Sequence, residues 1–191
     1  MAGVNPALWA AVHDQRRAVA FLTAAAAQPV HAYLFVGPPG VGKEAAARAF
    51  AAALLCPAGG CADCRDCRLA LAGTHPDLRE VERVGASISA KQADDIVRVA
   101  ALSPMEGQRK VLVLHEFHLV APPAAARLLK TIEEPPPSTV FVVLADDVPP
   151  DLVTIASRCV RVDFHGLDAT AGRPVPTRHG TPASPSVRSP G

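Results

Sequence analysis

Aromatic side chains are scarce in this chain, with one Trp, one Tyr and six Phe making up 4% of the residues. Any core must therefore be built mostly from Ala, Val and Leu. A surplus of one charge is also missing. Nineteen Lys and Arg face eighteen Asp and Glu, for a net charge of +1. That balance exerts no global pull toward nucleic acid or a membrane surface. No apolar run approaches the ~20 residues of a spanning helix. The opening segment, MAGVNPALWAAVHDQRR, lacks the charged-then-apolar pattern of a secretory signal. No membrane partner and a cytoplasmic, reducing compartment are expected. There, clustered cysteines hold metal rather than form disulfides.

What the chain does have is enough length for one ordinary core with room for an appendage, and strands and helices that alternate. Pro6 to Ala27 is Ala-rich, with Leu8, Val12, Val19 and Leu22 at helical spacings, and Pro29 ends it. His31 to Val36 reads as a buried strand feeding a glycine turn, and Lys43 to Leu55 is a run of strong helix formers. A second strand is expected over Leu78 to Val84. Ser89 and Gln92 then form a capping box for a helix reaching Leu102. Lys110 to Leu114 is a continuous apolar strand. Pro122 and Pro123 open a helix with an apolar stripe of Leu128, Leu129 and Ile132, which Pro135, Pro136 and Pro137 stop. Thr139 to Leu144 is a fourth strand and Val160 to Phe164 a weaker fifth, preceded by a short helix from Asp151. Such alternation predicts a parallel sheet covered on both faces, right-handed crossovers and a ligand at the carboxyl ends of the strands. From Gly166 the composition turns to scattered Pro, Gly and Ser. That stretch cannot bury enough surface to offset its ordering entropy and is expected to be disordered. Its lack of likeness to a folded continuation suggests a truncation or an out-of-frame end.

Three groups of residues carry chemistry. Gly37, Pro38, Pro39, Gly40, Val41, Gly42 and Lys43 meet the pattern G-x-x-x-x-G-K. Backbone N–H groups of such a loop converge on phosphate oxygens, and its lysine reaches the outer phosphates. The bland alternative is a turn that merely joins strand to helix. The next position normally holds a magnesium-ligating hydroxyl but here is Glu44, a like charge beside a triphosphate. The third strand leads into His115 and Glu116, where ATPases of this kind place an Asp–Glu pair. Glu116 is either the remnant of that acidic motif or an ordinary capping or surface carboxylate. ATP is thus an admissible ligand, while magnesium is poorly provided for.

The second group is Cys56, Cys61, Cys64 and Cys67, spaced C-x4-C-x2-C-x2-C. Four soft ligands with no open position fit structural zinc. An iron–sulfur cluster competes, but the polar filler Ala62, Asp63, Arg65 and Asp66 offers it little apolar shielding. Cys159 stands alone and reads as a small buried residue. The third group is Ser157-Arg158-Cys159. An arginine there either completes a neighbouring subunit's site or forms a surface salt bridge.

The stretches HAYLFVGPPGVGK, the cysteine module, THPDL, RKVLVL, LLKTIEEPPPSTVFVVLA and the final SRC resemble the bacterial replicative clamp-loader family, AAA+ subunits of the DNA polymerase III holoenzyme. The resemblance implies a RecA-like AAA+ α/β domain over residues 1–165. It would have a five-stranded parallel sheet with helices on both faces and a zinc knuckle inserted at 56–67, ahead of the tail at 166–191. Glu44 and His115, with Asp146 and Asp147 where active members carry a Thr or Asn sensor, are similar to the delta-prime type rather than the tau/gamma ATPases. That type implies an accessory subunit without polymerase activity or ATP hydrolysis of its own. It implies Arg158 offered in trans to a neighbour's ATP, and tau/gamma and delta subunits, the sliding clamp and primed DNA as partners. Family members continue into a lid and a collar that are not found after Phe164. The competing readings are an active tau/gamma-type ATPase and a zinc-bearing adaptor that binds no nucleotide.

Overall fold

The computed structural model describes residues 4–166. In chain order it runs α1 (Arg16–Ala25), β1 (Ala32–Val36), α2 (Lys43–Leu55), α3 (Arg65–Leu71), β2 (Leu78–Val81) and α4 (Ala90–Ala101). It continues with β3 (Lys110–Leu114), α5 (Pro122–Glu133), β4 (Thr139–Ala145), α6 (Val153–Ala156) and β5 (Val160–Asp163). The five strands form one sheet in the order β2-β3-β4-β1-β5, and every pairing is parallel. The expected sheet is therefore found.

Strands β1, β3 and β4 are buried at every position. Their alternating side chains divide the interior into two cores. Tyr33, Phe35, Val111, Val113, Val140 and Val142 face α1, α2 and α3. Leu34, Leu112, Leu114, Phe141 and Val143 face α4, α5 and α6. Helix α2 is nearly all Ala on its buried side, which lets it lie close to the sheet. Its Phe50 supplies the bulk, meeting the Tyr33 ring edge-on with centroids 4.8 Å apart. Helix α4 starts at the predicted capping box, with the Gln92 N–H donating to Ser89 Oγ and the Ser89 N–H to Gln92 Oε1.

Three local readings are corrected. The segment Pro6 to Ala27 is not one helix. It is a 3-10 turn over Pro6–Trp9, then a break containing Asp14 at φ 57°, then α1. The hydrophobic spacing was real, since Leu8 and Leu22 are buried, but it spans two elements. Strand β2 stops at Val81 rather than Val84, because Val84 lies past the edge and is exposed. Helix α3, hidden by the polar filler between the cysteines, begins immediately after Cys64, whose sulfur accepts the Cys67 N–H as a cap. The tail expected to be disordered lies, from residue 167 on, outside the described residues. Among the described residues no helix is long and apolar enough to cross a membrane.

Candidate phosphate-loop site and cysteine knuckle

The sheet order brings the carboxyl ends of β1, β4 and β3 side by side. The glycine loop leaves β1 there and enters α2. Gly40 and Gly42 adopt φ of 76° and 94°, which L side chains rarely take. Gly37 is required for a different reason: a Cβ there would come within 2.3 Å of the Phe164 carbonyl oxygen. The chain leaving β5 therefore crosses the root of the loop. Gln15, buried ahead of α1, ties these pieces together. Its Nε2 donates to the His165 carbonyl at 2.7 Å and to the Val41 carbonyl at 3.4 Å, and its Oε1 accepts the His165 N–H at 3.1 Å.

Lys43 is only 2% exposed. Its ammonium donates to the carbonyls of Gly37 (2.5 Å) and Pro38 (2.8 Å) and to Asp146 Oδ1 (2.9 Å). All three N–H donors are thus taken within the chain. Asp146 sits where β4 ends, beside the start of the loop. Its N–H donates to His118 Nδ1 at 3.1 Å. An accepting Nδ1 leaves the neutral ring's proton on Nε2, which faces Asp146 Oδ2 at 3.6 Å. Glu44 is exposed in the first turn of α2.

The end of β3 holds no free carboxylate pair. His115 is nearly buried and its Nε2 faces Glu80 Oε2 at 3.6 Å. That is too long for a hydrogen bond, and the nitrogen has no other partner. Arg48 grips Glu80 with two hydrogen bonds of 2.6 and 2.8 Å. The Arg48 guanidinium holds the Glu80 carboxyl at about 2; burial opposes this and His115 adds to it. Glu116 adopts φ 46°, caps nothing with its side chain, and pairs with Arg83 at 2.9 Å. Of the two positions expected to carry an acidic motif, one is therefore a histidine turned toward Glu80 and the other a carboxylate paired with Arg83.

Arg158 stands at the opposite pole. Strand β5 begins at Val160, in register with Tyr33, whereas the loop departs after Val36. Three strand steps at ~3.3 Å place its end of the sheet about 10 Å from the loop. The guanidinium donates to the Thr154 carbonyl at 2.8 Å and lies 3.2 Å from Glu133 Oε2, at the end of α5. It cannot serve its own loop. The neighbouring Cys159 is half-buried rather than fully buried, its thiol pushed up to about 12 by burial.

The four cysteines converge. Cys56 Sγ lies 3.7 Å from Cys61 Sγ and from Cys64 Sγ, and Cys61 Sγ lies 3.9 Å from Cys67 Sγ. Four sulfurs at ~2.3 Å around a tetrahedral zinc would stand about 3.8 Å apart. The donor set and spacing fit a metal ion. The Cys64 and Cys67 N–H groups point at the sulfurs of Cys61 and Cys64. The Asp63 and Cys64 N–H groups draw the Cys61 thiol down to about 6. The module is not the free-standing knob its local spacing suggests. Cys56 and Cys67 lie in the core, and Asn5 bonds the carbonyls of Gly60 (2.9 Å) and Cys61 (3.0 Å). A second group beside it, Asp66, His75 and Glu106, is also close-set. It is a structural lock instead. His75 Nδ1 accepts the Asp77 N–H, so Nε2 carries the proton, and Arg65 takes Glu106 at 2.6 Å.

Sequence reasoning singled out the loop, the cysteines and Arg158. It missed Gln15, whose partner His165 is 150 residues away, and the Lys43–Asp146 pair, 103 residues apart. No local pattern signals either contact.

A glycine loop between the first strand and its helix, in a parallel sheet of this order, defines a P-loop domain of AAA+ architecture. The fold matches that of a DNA polymerase III gamma subunit-related protein from Thermotoga maritima, with a TM-score of 0.56 and 21% identity over 82% of this chain and 47% of that one. The profile of the family described as "DNA polymerase III, delta subunit" matches residues 15–168, and the chain belongs to that family. It is 41% identical to DNA polymerase III subunit delta' of Pseudomonas aeruginosa, over 71% of this chain and 43% of that protein. It is 34% identical to subunit tau/gamma of Haemophilus influenzae, over 73% of this chain and 21% of that protein. The chain thus spans less than half the length of the curated relatives it matches.

Proposed function

We propose that this chain is the AAA+ portion of a delta-prime-type clamp-loader subunit. It would act with tau/gamma and delta subunits to place a sliding clamp on primed DNA, without hydrolysing ATP itself. The observation that carries the reading is the polarity of the domain: Arg158 lies at the sheet pole away from its own loop, in register with the start of β1. There its guanidinium rests on Glu133 and the Thr154 carbonyl, and the proposed role is that a neighbouring subunit's ATP draws it away from them. A guanidinium reaching a neighbour's ATP interacts more strongly with the charge-rich transition state than with the ground state. Meanwhile the residues that would hold magnesium here are replaced or engaged: Glu44 is a like charge, and His115 faces Glu80. Zinc is the ion proposed for Cys56, Cys61, Cys64 and Cys67, where it would neutralise thiolates and hold the knuckle.

The test is Arg158→Ala in a clamp loader assembled with this sequence. Assembly and ATP binding should stay nearly intact, while turnover at the neighbouring site falls on the order of 10³-fold. The loss for the whole complex is smaller if several sites contribute. Arg158→Lys should rescue little, because a point charge lacks the planar fork. Clamp loading at the normal rate by Arg158→Ala would make the residue merely structural. The likeness to tau/gamma subunits favours one other reading, an active ATPase. A magnesium-dependent rate of the isolated chain, abolished by Lys43→Ala, would establish it instead.

A further inference from the structure

We propose that the carboxylate of Asp146 takes the place on Lys43 that a phosphate would need, and so excludes nucleoside di- and triphosphates from this loop. The proposal rests on the reading of the loop as a non-hydrolysing one, and is independent of Arg158.

Three observations carry it. First, the bond is charge-neutralising. Two of the three acceptors around Lys43 are loop carbonyls, which carry no net charge, and the third is the Asp146 carboxylate at 2.9 Å. A phosphate binding the same ammonium must displace that carboxylate or lie beside it. Displacement leaves an aspartate without its cation, and adjacency sets like charges against each other. Second, Asp146 is placed by backbone rather than by a chance rotamer. Strand register puts Ala145 against Val36, and the Gly37 N–H donates to the Ala145 carbonyl at 3.2 Å. The next residue of each strand is then Asp146 and Gly37, the first of the loop. His118 fixes the peptide from the other side, accepting the Asp146 N–H at 3.1 Å and facing Oδ2 at 3.6 Å. Third, Lys43 is buried, with 3% of its side chain exposed, while the Asp146 side chain is 37% exposed. The lysine has no solvent-facing alternative, and the aspartate closes the loop at its solvent side. Exposed Glu44 adds a second negative charge in the first turn of α2, where a phosphate would meet the helix end. A loop filled in this way would hold one conformation at any ATP level.

The test is a titration of the 191-residue chain with a fluorescent ATP analogue and with ADP, with and without magnesium. Asp146→Asn keeps the shape and removes the charge. It should bind at least about tenfold tighter than the original chain, with or without the metal. Lys43→Ala added to Asp146→Asn should abolish the gain, and Glu44→Ser alone should gain less. Equal affinity of Asp146→Asn and the original chain, a gain that survives Lys43→Ala, or a larger gain from Glu44→Ser would each overturn the proposal. If Asp146→Asn does not fold, Asp146→Ser replaces it. One measurement needs no variant at all: millimolar tripolyphosphate should leave the melting temperature of the original chain unmoved. A clear upward shift, or saturation of the original chain by micromolar ATP, would overturn the proposal. None of these outcomes bears on Arg158, whose test is clamp loading.

Discussion

The cysteine knuckle and the phosphate loop are both tight turns leading into a helix, and they settle their charge in opposite ways. In the knuckle four sulfurs crowd together, with Cys56–Cys61, Cys56–Cys64 and Cys61–Cys67 separations of 3.7 to 3.9 Å. Burial raises the Cys67 thiol and, less strongly, the Cys64 thiol, whereas N–H donors lower Cys61. Such a group becomes favourable when a cation joins it. In the loop the cation is built in, and the chain supplies its counter-charge: Lys43 meets Asp146, and one turn along α2 Arg48 meets Glu80. One turn gathers four sulfur donors that a cation from outside would complete. The other is complete without one. A binding motif therefore has to be read together with what the rest of the chain places against it.

The largest expected effect lies in the knuckle. The purified chain should carry one zinc ion. Cys64→Ser should lose it to a chelator that leaves the original chain loaded, a binding loss of several kcal/mol out of the ~10–16 typical of structural zinc. Far-UV circular dichroism should still report the parallel sheet, since the ligands lie outside the strands, from the end of α2 to the first turn of α3. Elemental analysis finding iron, or no metal after anaerobic purification, would break the comparison from the knuckle side.

A smaller effect is expected beside the loop. The Glu80 carboxyl is held at about 2 against an ordinary 4.5. A depressed carboxyl contributes stability that is complete above about pH 4.5 and disappears as pH falls toward 2. The Arg48 side chain is 38% exposed, so solvent screens the pair and roughly 1–2 kcal/mol is expected. Glu80→Gln should cost that much at pH 7 and flatten the acid limb of the stability profile over that window, as followed by denaturant titration at each pH. An unchanged acid limb would show that the pair is not an internal counter-charge.

The smallest effect concerns the neutral staple. Gln15→Ala removes its bonds to His165 and Val41 and should cost about 1 kcal/mol. Amide hydrogen exchange should quicken at His165, whose N–H it accepts. Exchange unchanged at that amide would mean that the loop is held by Gly37 and Phe164 alone.

Much of the fold was legible because its signals are local. Continuous apolar runs marked β1, β3 and β4, and Ser89 with Gln92 and Pro122 with Pro123 marked the starts of α4 and α5. The failures share a cause. Leu8, Val12, Val19 and Leu22 keep a helical spacing across a break at Asp14, because hydrophobic spacing records burial and not continuity of the backbone. Helix α3 was masked because metal spacing, not amphipathic period, dominates Cys61 to Cys67. Cys56 and Cys67 are core residues as well as candidate ligands, which no spacing rule separates.

By itself, the sequence determined the order of elements, the parallel sheet, the glycine loop, the four-sulfur group and Arg158, since each depends on residues within a few turns of one another. Only the tertiary structure decided what fills those features. It brought Asp146 to Lys43, Glu80 to Arg48, Gln15 to His165 and Asn5 to the knuckle. It also set Arg158 at the pole away from its own loop, because parallel strands send all their carboxyl ends one way and all their amino ends the other. Such pairings follow from strand order and register, which are settled by burying both sheet faces at once, and no stretch of chain carries that information alone.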